Sequence, residues 1–173
     1  MTEKPTTYGK MTQILHWVAA LLIFMALTFG TVMTKFAPED MVDKFYNNHV
    51  AGGWVLLVLM VMRLFARLAE PAPDAPEGLS GTRAKLFTWN HVLLYVFIFI
   101  MVGSGVGILS MSGLSIFPGS LTANGIQKVF TISLHDLVSK IVLLLIVMHI
   151  GGVLMHQFTE SDVLSRMGLK LKK

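Results

Sequence analysis

Apolar residues fall into four long runs broken by short polar stretches, without the period-two alternation of strands. The runs cover about 11–33, 47–69, 88–110 and 132–156. Each has the roughly 20 residues a helix needs to cross ~30 Å of hydrocarbon at about 1.5 Å per residue. The first run is too long for the apolar region of a signal peptide and lacks a clear small-x-small cleavage site, so it reads as a retained span. EPAPDAPEG (70–78) cannot be helical throughout and separates runs two and three. The segment 112–130 mixes turn residues with Phe117, Ile126 and Phe130, and is expected to lie over one end of the bundle. GSGVG (103–107) reads either as small-residue helix packing or as a notch for a flat cofactor, and such a stretch can also kink span three. Trp17, Trp54 and Trp89 fall near span ends, where interfacial aromatics collect.

Composition fits that pattern. The chain is 54% hydrophobic, only 14% charged, with a mean hydropathy of +0.66. A soluble domain carries about 25% charged residues. The expected fold is an all-α integral membrane protein, a four-transmembrane-helix bundle forming a single domain over 1–173. There are no cysteines, which excludes disulfides, cysteine-ligated iron–sulfur clusters and covalent haem attachment through C-x-x-C-H. The net charge of +4 is no nucleic-acid signal, because the basic residues sit in short loops and tails.

Four spans put both termini on one side. That side holds Lys4, Lys10, Arg63, Arg67, Arg83, Lys85, Arg166, Lys170, Lys172 and Lys173. The other holds Lys35, Lys44 and Lys128. The positive-inside rule then predicts cytoplasmic termini.

Six histidines lie in or at the ends of the runs, where polar side chains are costly and rarely idle. Alternating span direction assigns each a depth. His49 and His135 form an outer layer. His16 and His149 form an inner one, with His91 and His156 nearer the inner surface. His135 and His149 are fourteen residues apart, about 1400° of helical turn, so they share a face about 21 Å apart along the axis. His156 returns to that face about 10 Å further on. Imidazoles at two depths, each matched by a histidine from another helix, suit two stacked planar cofactors, and imidazole is a standard axial haem ligand. The competing reading of any one of them is a packed, hydrogen-bonded histidine.

Gly52 and Gly53 follow His49, and Gly151 and Gly152 follow His149. These pairs fit a notch for a flat macrocycle or ordinary helix packing equally well. Arg63 is fourteen residues after His49, on the same face at inner depth, and a buried arginine needs an anionic partner. Haem propionates are a candidate. Lys140 lies off the histidine face, and the twelve methionines read as core and bilayer filling.

ILHW, NHVAGG, MRLFARL followed by prolines, NHVLLY, LHDLVSK, and MHIGGVLMHQF followed by DVLSRM resemble the bacterial cytochrome b561 family over essentially the whole chain. The membrane cytochromes b of formate dehydrogenase and hydrogenase share the span-four histidine pattern. The resemblance implies two haem b groups in the bacterial inner membrane, exchanging electrons with ubiquinone. It implies His16 with His149 at the inner haem and His49 with His135 at the outer haem. It places His156 near the quinone as a proton donor, and leaves His91 to line the quinone pocket, pair with a propionate or face the interface. In the family's best-known activity superoxide is oxidised outside and ubiquinone reduced.

The leading expectation is therefore a membrane quinone oxidoreductase with superoxide as donor. The outer loops balance Lys35, Lys44 and Lys128 against Glu39, Asp40 and Asp43, so they give an anion little net attraction. The alternative is an anchor subunit relaying electrons from a periplasmic redox protein. A haem-free histidine-rich metal transporter ranks lower, because few acidic residues lie in the spans. Lipid surrounds the bundle in every case, and a homo-oligomer stays open.

Overall fold

The computed structural model describes residues 5–79 and 81–170. Lys4, Lys172 and Lys173 of the basic count lie outside them. Four helices, α1 (Lys10–Lys35), α2 (Val42–Ala69), α3 (Gly81–Met111) and α4 (Phe130–Thr159), are joined by short connectors. Single 3-10 turns occur at Ala123–Gly125 and Ser165–Met167. All four helices are long and apolar enough to cross a membrane.

The helix ends follow local chemistry. α2 stops where Glu70 turns extended ahead of Pro71, as the ring of a following proline requires. α3 runs unbroken through GSGVG and ends at Met111, just before Gly113, whose φ of 69° supplies the left-handed residue of a Schellman cap. There Gly113 N donates to Ser110 O and Leu114 N to Leu109 O. Two helices begin well before their apolar runs: α2 at Val42 and α3 at Gly81. Hydropathy marks only the hydrocarbon-embedded part, and intrahelical hydrogen bonding carries the helix on through residues such as Arg83 and Lys85.

Phe24, Phe65, Val147 and Phe158 are among many large apolar side chains on the outside, as expected of a bundle solvated by lipid. The buried core is small: Ala19, Ile23, Leu56, Met60, Ile98, Val138 and Val142. These residues come from all four helices and sit at mid-length. Close backbone packing joins α1 to α2 and α3 to α4, with a lesser seam between α2 and α3. α4 has no comparable backbone seam with α1 or α2 among the described residues.

The two ends are closed differently. The 112–130 segment is pinned to the start of α2, as the sequence led us to expect. Asn47 Oδ1 accepts from Gly119 N (2.6 Å) and Leu121 N (3.2 Å), and Asn47 Nδ2 donates to Leu121 O (2.9 Å). Asp43 Oδ1 accepts from Ala123 N at 2.7 Å, and Trp54 donates to Ile116 O at 2.7 Å while stacking on Phe117. At the other end the N- and C-terminal segments bond to each other. Tyr8 N donates to Arg166 O, and Trp17 Nε1 donates to Met167 O. Both described termini therefore lie at one end of the bundle.

Candidate functional site

The histidines form two layers, termed inner (nearer the termini) and outer (nearer 112–130). In the outer layer, His49 from α2 faces His135 from α4 with ring centroids 6.2 Å apart and ring planes 80° apart. In the inner layer, His16 from α1 faces His149 from α4, also at 6.2 Å, with planes 63° apart. Both pairs span the side where α4 stands off from α1 and α2. The buried apolar core fills the level between them.

His135 is the most tightly held ring. Ser104 Oγ lies 2.9 Å from its Nδ1, and Met101 O lies 3.1 Å away. Gly105 of α3 lies against it: a Cβ there would sit 3.5 Å from His135 Cε1, an ordinary van der Waals contact. Gly30 of α1 does the same for His49, at 3.4 Å from Cε1. His49 Nδ1 is buried with no partner among the described residues. An apolar cavity of about 310 Å³ opens beside His49 between α1 and α2, lined by Leu22, Met25, Phe29 and Gly52 among others.

In the inner layer Arg63 Nη2 donates to His16 Nδ1 at 2.7 Å, and its guanidinium lies over the Tyr95 ring. Both partners are neutral. The ion pairs among the described residues, Arg83–Glu160 and Lys140–Asp136, do not include Arg63. His91 was expected near the inner surface, but it sits in this layer, 4.9 Å from His149 with planes 88° apart. The reason is the early start of α3: ten residues precede His91 in the helix, about 15 Å of rise. Its Nδ1 donates to Phe87 O at 2.7 Å, which leaves Nε2 as the ring's unprotonated nitrogen when the imidazole is neutral.

His156 is buried at the terminus-side end of α4, and its Nε2 meets Ser161 Oγ at 3.1 Å. It makes no ring contact with the inner layer among the described residues. Lys140 is exposed and paired with Asp136 at 2.7 Å, which accounts for both charges beside the outer layer. A Cβ added at Gly52, Gly53, Gly151 or Gly152 would meet no atom of the described residues within 4 Å, so neither pair packs against another helix within this bundle. The glycines that lie against an imidazole are Gly30 and Gly105.

Other contributors carried no sequence signal. Asn90 is buried, donates to Leu145 O at 3.1 Å and has an Oδ1 without a partner among the described residues. Ser104 is an unremarked serine in a glycine-rich stretch. Neither type marks a site without its neighbours.

These residues fit an imidazole-ligated macrocycle. Two imidazoles bonded at about 2.0–2.1 Å to opposite sides of one metal, each adding ~1.1 Å from nitrogen to ring centre, stand roughly 6.2–6.4 Å apart. Both pairs match that separation. Among the described residues no three His, Cys, Asp or Glu side chains converge as a bare-ion site would require. A facing histidine pair in each layer would suit a metal whose remaining ligands come from a porphyrin.

Comparison with known proteins agrees. The family model for prokaryotic cytochrome b561 matches residues 7–169. The chain is 28% identical to cytochrome b561 homolog 2 of Escherichia coli (strain K12), an alignment covering 96% of this chain and 93% of that one. With four membrane-spanning helices and histidine pairs at two depths, the chain belongs to the prokaryotic cytochrome b561 family of integral membrane proteins that transfer electrons on b-type haem.

Proposed function

We propose that the protein is a di-haem quinone oxidoreductase of the bacterial inner membrane, with both termini cytoplasmic. His49 and His135 hold the outer haem b, and His16 and His149 the inner one. Electrons enter from a one-electron donor outside, with superoxide as the leading candidate, and leave to ubiquinone at the inner end. Haem b supplies a reversible one-electron couple, and bis-histidine ligation leaves no open position for oxygen. The observation that carries the reading is the pair of 6.2 Å imidazole separations bridging the seam where α4 stands off from α1 and α2.

The chain's own residues have separable tasks. The apolar layer of Leu56, Met60, Val138 and Val142 keeps water and ions out between the two levels. Arg63 is a cation with neutral partners at inner depth, which favours haem propionates as its counter-charge. Ligation through His16 Nε2 puts the proton on Nδ1, and a guanidinium cannot donate to a protonated nitrogen. Holding the inner haem therefore requires Arg63 to release His16 and turn to the carboxylates. His91 braces His149 edge-on. His156, beside Ser161 and under the folded C-terminal segment, is the proton donor to the reduced quinone.

Pyridine haemochrome analysis of the purified protein tests the core of this reading. Two haem b per chain are expected, and one in His135→Ala. A colourless preparation from haem-replete cells, or two haems retained in His135→Ala, refutes it. Stopped-flow mixing with superoxide tests the donor. Oxidised haems that stay oxidised remove superoxide, and reduction by a periplasmic redox protein instead would mark an anchor subunit.

A further inference from the structure

The two outer imidazoles are held in different ways. His49 Nδ1 is buried and partnerless among the described residues. His135 Nδ1 sits in a three-membered network on α3. Ser104 Oγ is 2.8 Å from Met101 O and 2.9 Å from His135 Nδ1, and Met101 O is itself 3.1 Å from that nitrogen.

One arrangement of protons satisfies all three contacts at once. A carbonyl only accepts, so the single serine hydroxyl proton goes to Met101 O. Ser104 Oγ is then an acceptor toward His135, and Nδ1 must carry the ring proton. That proton is shared between Ser104 Oγ and Met101 O. The lone pair of His135 is thereby confined to Nε2, the nitrogen left for a metal. Two acceptors on α3 also fix the ring plane, and Gly105 borders Cε1. The resulting plane crosses that of His49 at 80°.

We propose that Ser104 is a positioning residue for the outer haem: together with Met101 O it favours the ligating tautomer of His135, and its hydroxyl holds the ring crosswise to His49. This rests on the assignment of His49 and His135 as outer ligands. A serine bonded to the carbonyl three residues back is common in helices. What distinguishes Ser104 is that it is buried and that its remaining hydrogen-bonding capacity is spent on a proposed ligand. An acceptor on the distal nitrogen of a ligating histidine orients the ring and raises its basicity.

Ring orientation has its own spectroscopic signature. Each imidazole donates π density into one metal dπ orbital, set by its ring plane. Crossed rings load both orbitals alike and give a ferric low-spin EPR spectrum dominated by one large-gmax feature. Parallel rings load one orbital and give a rhombic spectrum with smaller gmax.

The experiment uses full-length protein with both haems, comparing wild type, Ser104→Ala, Ser104→Thr and His135→Ala. His135→Ala identifies the outer feature by its loss. If that variant keeps both haems, the ligand assignment fails, independently of Ser104. With the assignment standing, Ser104→Ala is expected to retain two haems per chain, lower or broaden the outer gmax and raise the outer midpoint potential. The inner feature stays unmoved, and Ser104→Thr, which keeps the hydroxyl, restores the wild-type spectrum. Loss of the outer haem in Ser104→Ala but not in Ser104→Thr supports the proposal equally. Two retained haems with spectra superimposable on wild type overturn it. Loss of the outer haem in both serine variants also overturns it, because packing rather than the hydroxyl would then be responsible.

Discussion

Removing Asn47 should release the 112–130 segment from the outer end of the bundle. Its side chain bonds to Leu121 O (2.9 Å), Gly119 N (2.6 Å) and Leu121 N (3.2 Å), and also to Asp43 O (2.8 Å) within its own helix. The Asp43 bond is local and adds nothing to docking. The two bonds to Leu121 are partly buried, and each is worth about 1 kcal/mol net. The bond to Gly119 is exposed and water replaces it, so it counts for about 0.5 kcal/mol. Asn47→Ala should therefore cost roughly 2–3 kcal/mol of local docking stability, or about 30- to 150-fold in the population of the undocked segment. Leu121, only 3% exposed, would be uncovered with it. Hydrogen exchange in nanodiscs reads this directly: amides of 119–123 should lose protection by that factor while mid-helix amides of α2 stay protected. Asn47→Asp keeps the acceptor and loses the donor, so it should fall between. Unchanged protection of 119–123 within about threefold in Asn47→Ala would refute the docking argument, and would leave Asp43 and Trp54 as the anchors.

The ring angles of 80° and 63° predict that both oxidised haems give large-gmax EPR features, the outer at the higher g value; two rhombic spectra would mean that neither pair ligates as placed. Met60 is 1% exposed in the layer between the two levels, and Met60→Ala should cost about 2–3 kcal/mol, measured by unfolding in detergent. That is near the low end for such truncations, because lipid solvates apolar groups in the unfolded state; a loss under about 0.5 kcal/mol would mean the layer is loosely packed. His156→Ala should keep both haems and slow quinone turnover, while loss of a haem in that variant would mean the inner ligand pair is wrong. Arg63→Gln should keep the fold and weaken retention of the inner haem during dialysis against apomyoglobin, with outer retention as the internal control.

Sequence alone determined the four spans, because a bilayer demands about 20 apolar residues per crossing and the composition advertises them. It also determined that His135 and His149 share a face, because fourteen residues return a helix close to its starting angle. Helix ends were less legible. Hydropathy reports where lipid begins and says nothing of how far backbone hydrogen bonding continues, so His91 reads as superficial until α3 is seen to start at Gly81. Tertiary structure decided the contacts between helices. It set α4 apart from α1 and α2, brought each histidine pair to 6.2 Å and placed His91 against His149. It also set Gly30 and Gly105, rather than the conspicuous glycine pairs, against the imidazoles. Which side chain of one helix meets which of another depends on rotation and offset between the helices, and these follow from the packing of the whole bundle rather than from the periodicity of any one run.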